Sequence, residues 1–179
     1  MVCECSVPCK PLRSGMWRSA CLSCGDREVN MTAVPEGITS ADVIVWGEAG
    51  TFAQRIAAGR HRLTGDEPES VGGSDTGPSP YDFLLAALGS CTSMTVGMYA
   101  RQKKWPLERI MVWLRHSKIY VTDCSECETR EGMLDRIERD MRFEGPLSPE
   151  QHSRLLEIAN KCPVHRTLTS EINIQTRLL

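Results

Sequence analysis

From Ser40 onward the apolar and polar positions fall into a readable order. Ala41–Trp46, Thr51–Ile56 and Arg60–Leu63 are short apolar or alternating runs, separated by Gly47-Glu48-Ala49-Gly50 and Ala57-Ala58-Gly59. They predict three strands joined by turns of hairpin length. A loop rich in glycine and proline, Gly65 to Pro78, comes next. Ser79 as N-cap and Pro80 at the first helical position then open a helix. From Phe83 to Ala100 the chain carries no charged residue, and a helix apolar or small on every side is a buried helix. Arg101, Lys103 and Lys104 suit its C-terminal end and Pro106 stops it, so the predicted span is Pro80–Lys103.

Two longer strands follow. Arg109–Val121 alternates Ile110, Val112 and Leu114 against Arg109, Met111 and Trp113, and Met133–Glu144 places Ile137, Met141 and Phe143 on one side. Ser148 and Gln151 form a capping box that starts a second helix, with Leu155, Ile158 or Ala159, and Cys162 on its inner face. Pro163 breaks it, Val164 to Leu168 adds a turn, and Glu171–Thr176 alternates as a final strand. The order β-β-β-α-β-β-α-β is an α+β domain with two core helices against antiparallel sheets.

Composition adds limits. The chain has 179 residues, enough for one domain with a full core. A net charge of −2 gives no electrostatic case for nucleic acid or an anionic membrane. The uncharged run is close to the shortest membrane span, yet Gly89, Ser90, Thr92, Ser93, Thr95 and Gly97 make it a poor lipid partner. It reads as the core helix of a soluble protein. Residues 1–30 show neither helical nor strand periodicity, so 1–36 reads as a disordered N-terminal extension and 37–179 as the domain. Without a charged n-region and apolar h-region the expected location is cytoplasmic.

Nine cysteines, at 3, 5, 9, 21, 24, 91, 124, 127 and 162, change the picture most. In a reducing compartment they serve catalysis or metal binding, or are spare, rather than stapling the fold. Cys21-Leu22-Ser23-Cys24 alone is half a metal site. Cys124 and Cys127, with His116 upstream, are open to three readings: incidental thiols, half of a zinc site completed by a second copy, or a redox pair. His116 itself reads as a surface strand residue, and His61 and His152 as solvated. Cys91 and Cys162 stand apart because both sit in structured, apolar settings. Ser90, Thr92 and Ser93 flank the first; His165 and Arg166 follow the second. Each could be a small core hydrophobe or a reactive thiol. A reactive one must be a thiolate, and Cys91 lies roughly 16 Å along its helix, too far for the dipole. Its charge must come from Arg55, Arg60, Arg62, His165 or Arg166. The charge-rich segment Thr129–Arg142 reads as the outward face of a strand.

Gly77-Pro78-Ser79-Pro80 ahead of the apolar helix and Cys91, with Lys161-Cys162-Pro163-Val164 some seventy residues on, resembles the OsmC/Ohr family of thiol-dependent peroxidases. The resemblance runs from about Thr39 to the C-terminus. It implies an intertwined homodimer with the cysteine-bearing helices central and the sheets outside. It also implies that Cys91 attacks an organic hydroperoxide to form a sulfenic acid. Cys162 then closes a disulfide that a dithiol reductant, with lipoyl dithiols among the candidates, reopens. No cofactor is implied. Where the best-studied branches carry a glutamate that positions the thiolate with an arginine, this chain has Tyr81, and Asp82 falls on the opposite side of the helix from Cys91. Two other readings stand beside the enzyme: a binding module for a small apolar ligand on the same fold, and a zinc-stabilised structural dimer.

Overall fold

A computed structural model describes residues 43–123 and 132–178, all within the unit Thr39–Leu179. The expected extension 1–36, Cys21 and Cys24, and Cys124 and Cys127 lie outside the described residues.

The three predicted short strands form an antiparallel meander, β1 (Val43–Gly47), β2 (Gln54–Ala58) and β3 (His61–Gly65), in which Val45 pairs with Ile56 and Ile56 with Leu63. The loop after β3 is organised by one carboxylate. Asp66 is buried and accepts hydrogen bonds from the backbone N–H groups of Glu67 (2.8 Å), Ser74 (3.2 Å) and Thr76 (3.1 Å) and from the Thr76 hydroxyl (2.8 Å). Those donors, the Thr76 hydroxyl first, hold its pKa below the ordinary carboxylate value. Gly77 closes the loop against β3, where a Cβ would lie 2.2 Å from the Thr64 carbonyl oxygen.

The loop delivers the chain to α1 (Pro80–Lys103), whose ends are those the sequence predicts. Ser79 accepts from the Asp82 N–H, and the Asp82 carboxylate accepts from the Ser79 N–H in return. That use of Asp82 explains its place in the first turn. Lys104 ends the helix in the left-handed region.

Burial on all sides is not what α1 shows. Leu88, Gly89, Thr92, Val96 and Ala100 form a single buried stripe, whereas Met94 is 67% and Met98 62% exposed on the other side. The reason is that the protomer supplies packing to one face only: α1 contacts the hairpin β4 (Arg109–Tyr120), α2 (Pro149–Ala159) and α3 (Pro163–Leu168).

β4 pairs antiparallel with β5 (Met133–Glu144) along its whole length. Gly89 lets this hairpin approach α1, since a Cβ there would lie 2.8 Å from Leu114 Cδ1. Val96, Ala100, Leu155, Ile158 and Ala159 make the core, backed by Tyr99, Trp105, Ile110, Met141 and Phe143.

Two expectations are corrected. α2 ends at Ala159, so Cys162 is not on its inner face; it is the N-cap of α3. The helical stripe had been counted through Asn160 and Lys161, but Pro163 at the first position of a new helix makes its predecessor a cap. The final strand is also absent: residues 171–178 are exposed and have no regular structure. Alternation states which faces side chains would take, while a strand needs pairing to a neighbouring edge, and residues 171–178 pair with no described strand. The remaining architecture is the expected α+β arrangement of antiparallel sheets and helices.

Candidate active site

α1 and α3 bring Cys91 and Cys162 close enough for each to influence the other's ionisation, both as free thiols. Cys91 is partly exposed and Cys162 is 0% exposed. Their surroundings differ more than their burial. Cys162 Sγ accepts the His165 N–H at 3.4 Å, as an N-cap does, and the Val164 N–H and the Thr92 side chain lie close enough to favour its charged form. Cys91 shares the Val164 N–H, but the Thr95 hydroxyl beside it donates to the Cys91 carbonyl at 2.8 Å. A hydroxyl has one proton, so little is left for the Cys91 sulfur.

Burial pushes the Cys91 thiol up, and its role as donor to Cys162 adds to that. Burial acts on Cys162 in the same sense, but the donors that converge on it, Cys91 first among them, bring it below the ordinary thiol value. Of the two, Cys162 is the thiol whose charged form its surroundings favour.

A cation beside Cys162 comes from a residue outside the expected set. Arg139 on β5 donates to Thr92 Oγ1 (2.9 Å), to the Ala159 carbonyl (3.4 Å) and to Asn160 Oδ1 (2.6 Å). Its guanidinium and the Cys162 sulfur are electrostatically linked; burial lowers the arginine's pKa, and the sulfur's charge works against that. Arg139 sits in the segment read as an outward face. Yet strand alternation places it with Ile137, Met141 and Phe143, the inward set, opposite Leu114. That parity was the available signal.

The expected cations do not take this place. Arg55, Arg60, Arg62 and Arg166 are exposed, and Arg62 donates to the Gly59 and His61 carbonyls. His165 contributes its backbone N–H, while burial first and then Arg139 lower the imidazole's pKa. At neutral pH the ring is uncharged.

Tyr81 and His116 have a different job. Their rings stack at 4.1 Å and 15°, and His116 Nε2 meets Asp135 Oδ1 at 2.8 Å. His116, expected at the surface, is mostly covered; the stack and the carboxylate pin the first turn of α1 to the β4–β5 hairpin. His61 is exposed as expected, and the exposed His152 lies 6.0 Å from the Phe143 ring. Among the described residues no group of three or more His, Cys, Asp or Glu side chains could hold a metal ion.

Comparison with known proteins gives the site its context. No curated protein matches the chain. Solved structures that resemble it include an OsmC-like protein from Mycoplasma pneumoniae, 19% identical with a TM-score of 0.56, which covers 71% of this chain and 85% of its own. Another is the organic hydroperoxide resistance protein OhrB of Bacillus subtilis, 16% identical with a TM-score of 0.52, covering 72% and 89%. A third is an organic hydroperoxide resistance protein OsmC from Legionella pneumophila, 17% identical with a TM-score of 0.53, covering 72% and 89%. These likenesses establish the fold. The family model for OsmC-like proteins matches residues 72–177, which takes in α1, both thiols and Arg139. The chain belongs to the OsmC-like family.

Proposed function

We propose that this protein is a thiol-dependent peroxidase that reduces organic hydroperoxides through Cys91 and Cys162. The observation that carries the reading is the neighbouring pair of free thiols, one partly exposed and one buried, with no oxidised bond between them. Cys91 meets the peroxide and is oxidised to the sulfenic acid. Cys162, already in contact, displaces hydroxide to close the disulfide, and a dithiol such as a lipoyl group reopens it. Membership of the family, and the names of two structural neighbours as organic hydroperoxide resistance proteins, favour that substrate class. Disulfide cycling of this kind suits a reducing compartment such as the cytoplasm.

The working form in this reading is a homodimer. Met94 and Met98 on α1, Val43, Val45 and Leu63 on the meander, and Ile172 and Ile174 beyond α3 are exposed apolar side chains in one protomer. Large apolar side chains left exposed on several elements suit an interface. A second protomer would bury the open face of α1 and give residues 171–176 a strand to pair with.

The test is consumption of cumene hydroperoxide with dithiothreitol or a lipoyl dithiol. Wild type turns over and Cys91→Ser does not; mass spectrometry after one peroxide exposure finds Cys91 joined to Cys162. Absence of turnover with every dithiol, together with absence of that disulfide, rejects the proposal.

A further inference from the structure

The peroxidase reading needs two sulfurs to close on each other, yet they sit on separate elements. Cys91 lies midway along α1, and Cys162 caps α3 after a corner that α2 leaves at Ala159. We propose that Arg139 is the positioning residue for this closure. Its guanidinium clamps the corner that carries Cys162 to the turn of α1 that carries Cys91. The clamp sets the rate of the disulfide step and leaves the attack on peroxide alone. The order of steps rests on the peroxidase reading; the clamp itself does not.

Three hydrogen bonds carry the argument. Arg139 Nη1 donates to Thr92 Oγ1 at 2.9 Å and to the Ala159 carbonyl at 3.4 Å, and Nη2 donates to Asn160 Oδ1 at 2.6 Å. Thr92 follows Cys91 directly and is fully buried, so this end of the clamp grips α1 beside the thiol. At the other end, the Ala159 carbonyl also accepts the Cys162 N–H at 3.4 Å. Arg139 and the backbone of Cys162 thus share one acceptor. The last carbonyls of a helix lack intrahelical partners, and here one of them fixes the way out of α2. The base of the clamp is β5, which is paired with β4 along its whole length. Packing alone would be served by an aliphatic side chain, as Met141 serves it two positions further along the same face. A guanidinium instead carries five N–H donors in a fixed fork and can hold acceptors on two elements at once.

Closure is the step that feels this geometry. The hydroperoxide oxidises the Cys91 thiol by two electrons, giving the sulfenic acid and an alcohol. The Cys162 sulfur then attacks the Cys91 sulfur: the S–S bond forms, the S–O bond breaks, and hydroxide leaves with the Cys162 proton as water. An S–S bond tolerates only a narrow range of Cα separations, about 4.4–6.8 Å. A misplacement of about 1 Å can cost such an intramolecular step ~100-fold. Peroxide attack needs one accessible sulfur and no second element in register, so the clamp does not enter it. A sulfenic acid left waiting meets a second hydroperoxide, which oxidises it to the sulfinic acid and is itself reduced to alcohol. The clamp therefore decides between a cycle that a dithiol can reset and irreversible loss of Cys91.

Two measurements on the full chain test this, with every variant held below its unfolding transition. In the first, one equivalent of cumene hydroperoxide is added and the products are followed by rapid quenching and mass spectrometry. Arg139→Gln forms the Cys91 sulfenic acid within about twofold of wild type, closes the disulfide at least about tenfold more slowly, and collects sulfinic acid under excess peroxide. Arg136→Gln, which removes an exposed cation from the opposite face of β5, changes neither rate. Asn160→Ala cuts the exposed end of the clamp while keeping Arg139, Thr92 and both thiols. It also slows closure, and the double variant with Arg139→Gln is no slower than Arg139→Gln alone. The second measurement uses no peroxide. The Cys91–Cys162 disulfide is equilibrated with oxidised and reduced dithiothreitol, and Arg139→Gln lowers the equilibrium constant for closure at least about tenfold. Closure that is unchanged or faster in Arg139→Gln overturns the proposal, as do equal slowing of sulfenic acid formation and additive losses in the double variant. A wild type that forms no such disulfide against dithiothreitol overturns it too. A wild type inert to peroxide would remove the peroxidase reading, while the dithiothreitol equilibrium still decides the clamp.

Discussion

Leu155 lies in the seam between α1 and α2, and Leu155→Ala measures what that seam contributes. The side chain is 0% exposed and packs with Val96 and Ala100 of α1 and Ile158 and Ala159 of its own helix. Four of the five core residues thus straddle one helix–helix seam beside it, and neither helix can collapse into the space without moving the other. Such a site falls in the upper part of the range for a buried leucine, about 3–4 kcal/mol. For a unit of about 140 residues that is a fall in Tm of about 10 °C. Leu156, next in the chain but 53% exposed, is the control, and Leu156→Ala should stay within about 0.5 kcal/mol. Denaturant unfolding of both variants, read at the midpoint with the slope checked for constancy, gives the two values. A Leu155→Ala loss under about 1 kcal/mol, or equal losses at both positions, would refute the assignment of the core to this seam.

Ser79→Ala removes the acceptor for the Asp82 N–H, and a loss of about 1 kcal/mol in thermal or denaturant unfolding is expected. Gly77→Ala sets a methyl against the Thr64 carbonyl, which is backbone and cannot rotate away, so a loss of about 1–3 kcal/mol should appear with displaced amide resonances from Thr64 to Ser79. His165 carries a pKa depressed by burial and by Arg139. The unfolded chain therefore binds its proton first, and stability falls as pH drops below the ordinary histidine value towards the folded one. Unfolding midpoints measured from neutral to mildly acid pH should show that fall, and His165→Asn, which keeps the backbone N–H that Cys162 uses, should flatten it.

The signals that start the two longer helices are legible in the chain, and both starts hold. Ser79-Pro80 and Ser148-Pro149 announce helices by capping chemistry that needs no tertiary partner, and both capping boxes form. Gly89, Thr92, Val96 and Ala100 show why the long helix was only half understood: composition states that a surface is apolar, not which chain covers it. Cys162 was misplaced because a helical stripe was extended across a break that Pro163 already marked. Arg139 was lost for a different reason. Five charged residues lie among Asp135, Arg136, Glu138, Arg139 and Asp140, and charge density outweighed strand parity, although parity puts Arg139 inward with Ile137 and Met141. Contacts between β5, α1 and the α2–α3 corner have no sequence-local signature at all.

Position 81, in the first turn of α1, has a task that needs no carboxylate. Among the described residues the hydrogen bond made to the thiol pair comes from the start of α3, where the His165 N–H meets Cys162 Sγ, and not from the start of α1. Position 81 is thereby free for an aromatic ring, and Tyr81 uses it to stack on His116 while Asp135 holds the imidazole from the other strand. Tyr81→Glu separates the two possibilities. A glutamate would forfeit the stack, worth about 0.5–1.5 kcal/mol, and would bring a negative charge but no proton to donate. The expected outcome is a modest loss of stability with no gain in the rate of Cys91 oxidation by cumene hydroperoxide. A faster oxidation in Tyr81→Glu would show that activation belongs to the first turn of α1 after all.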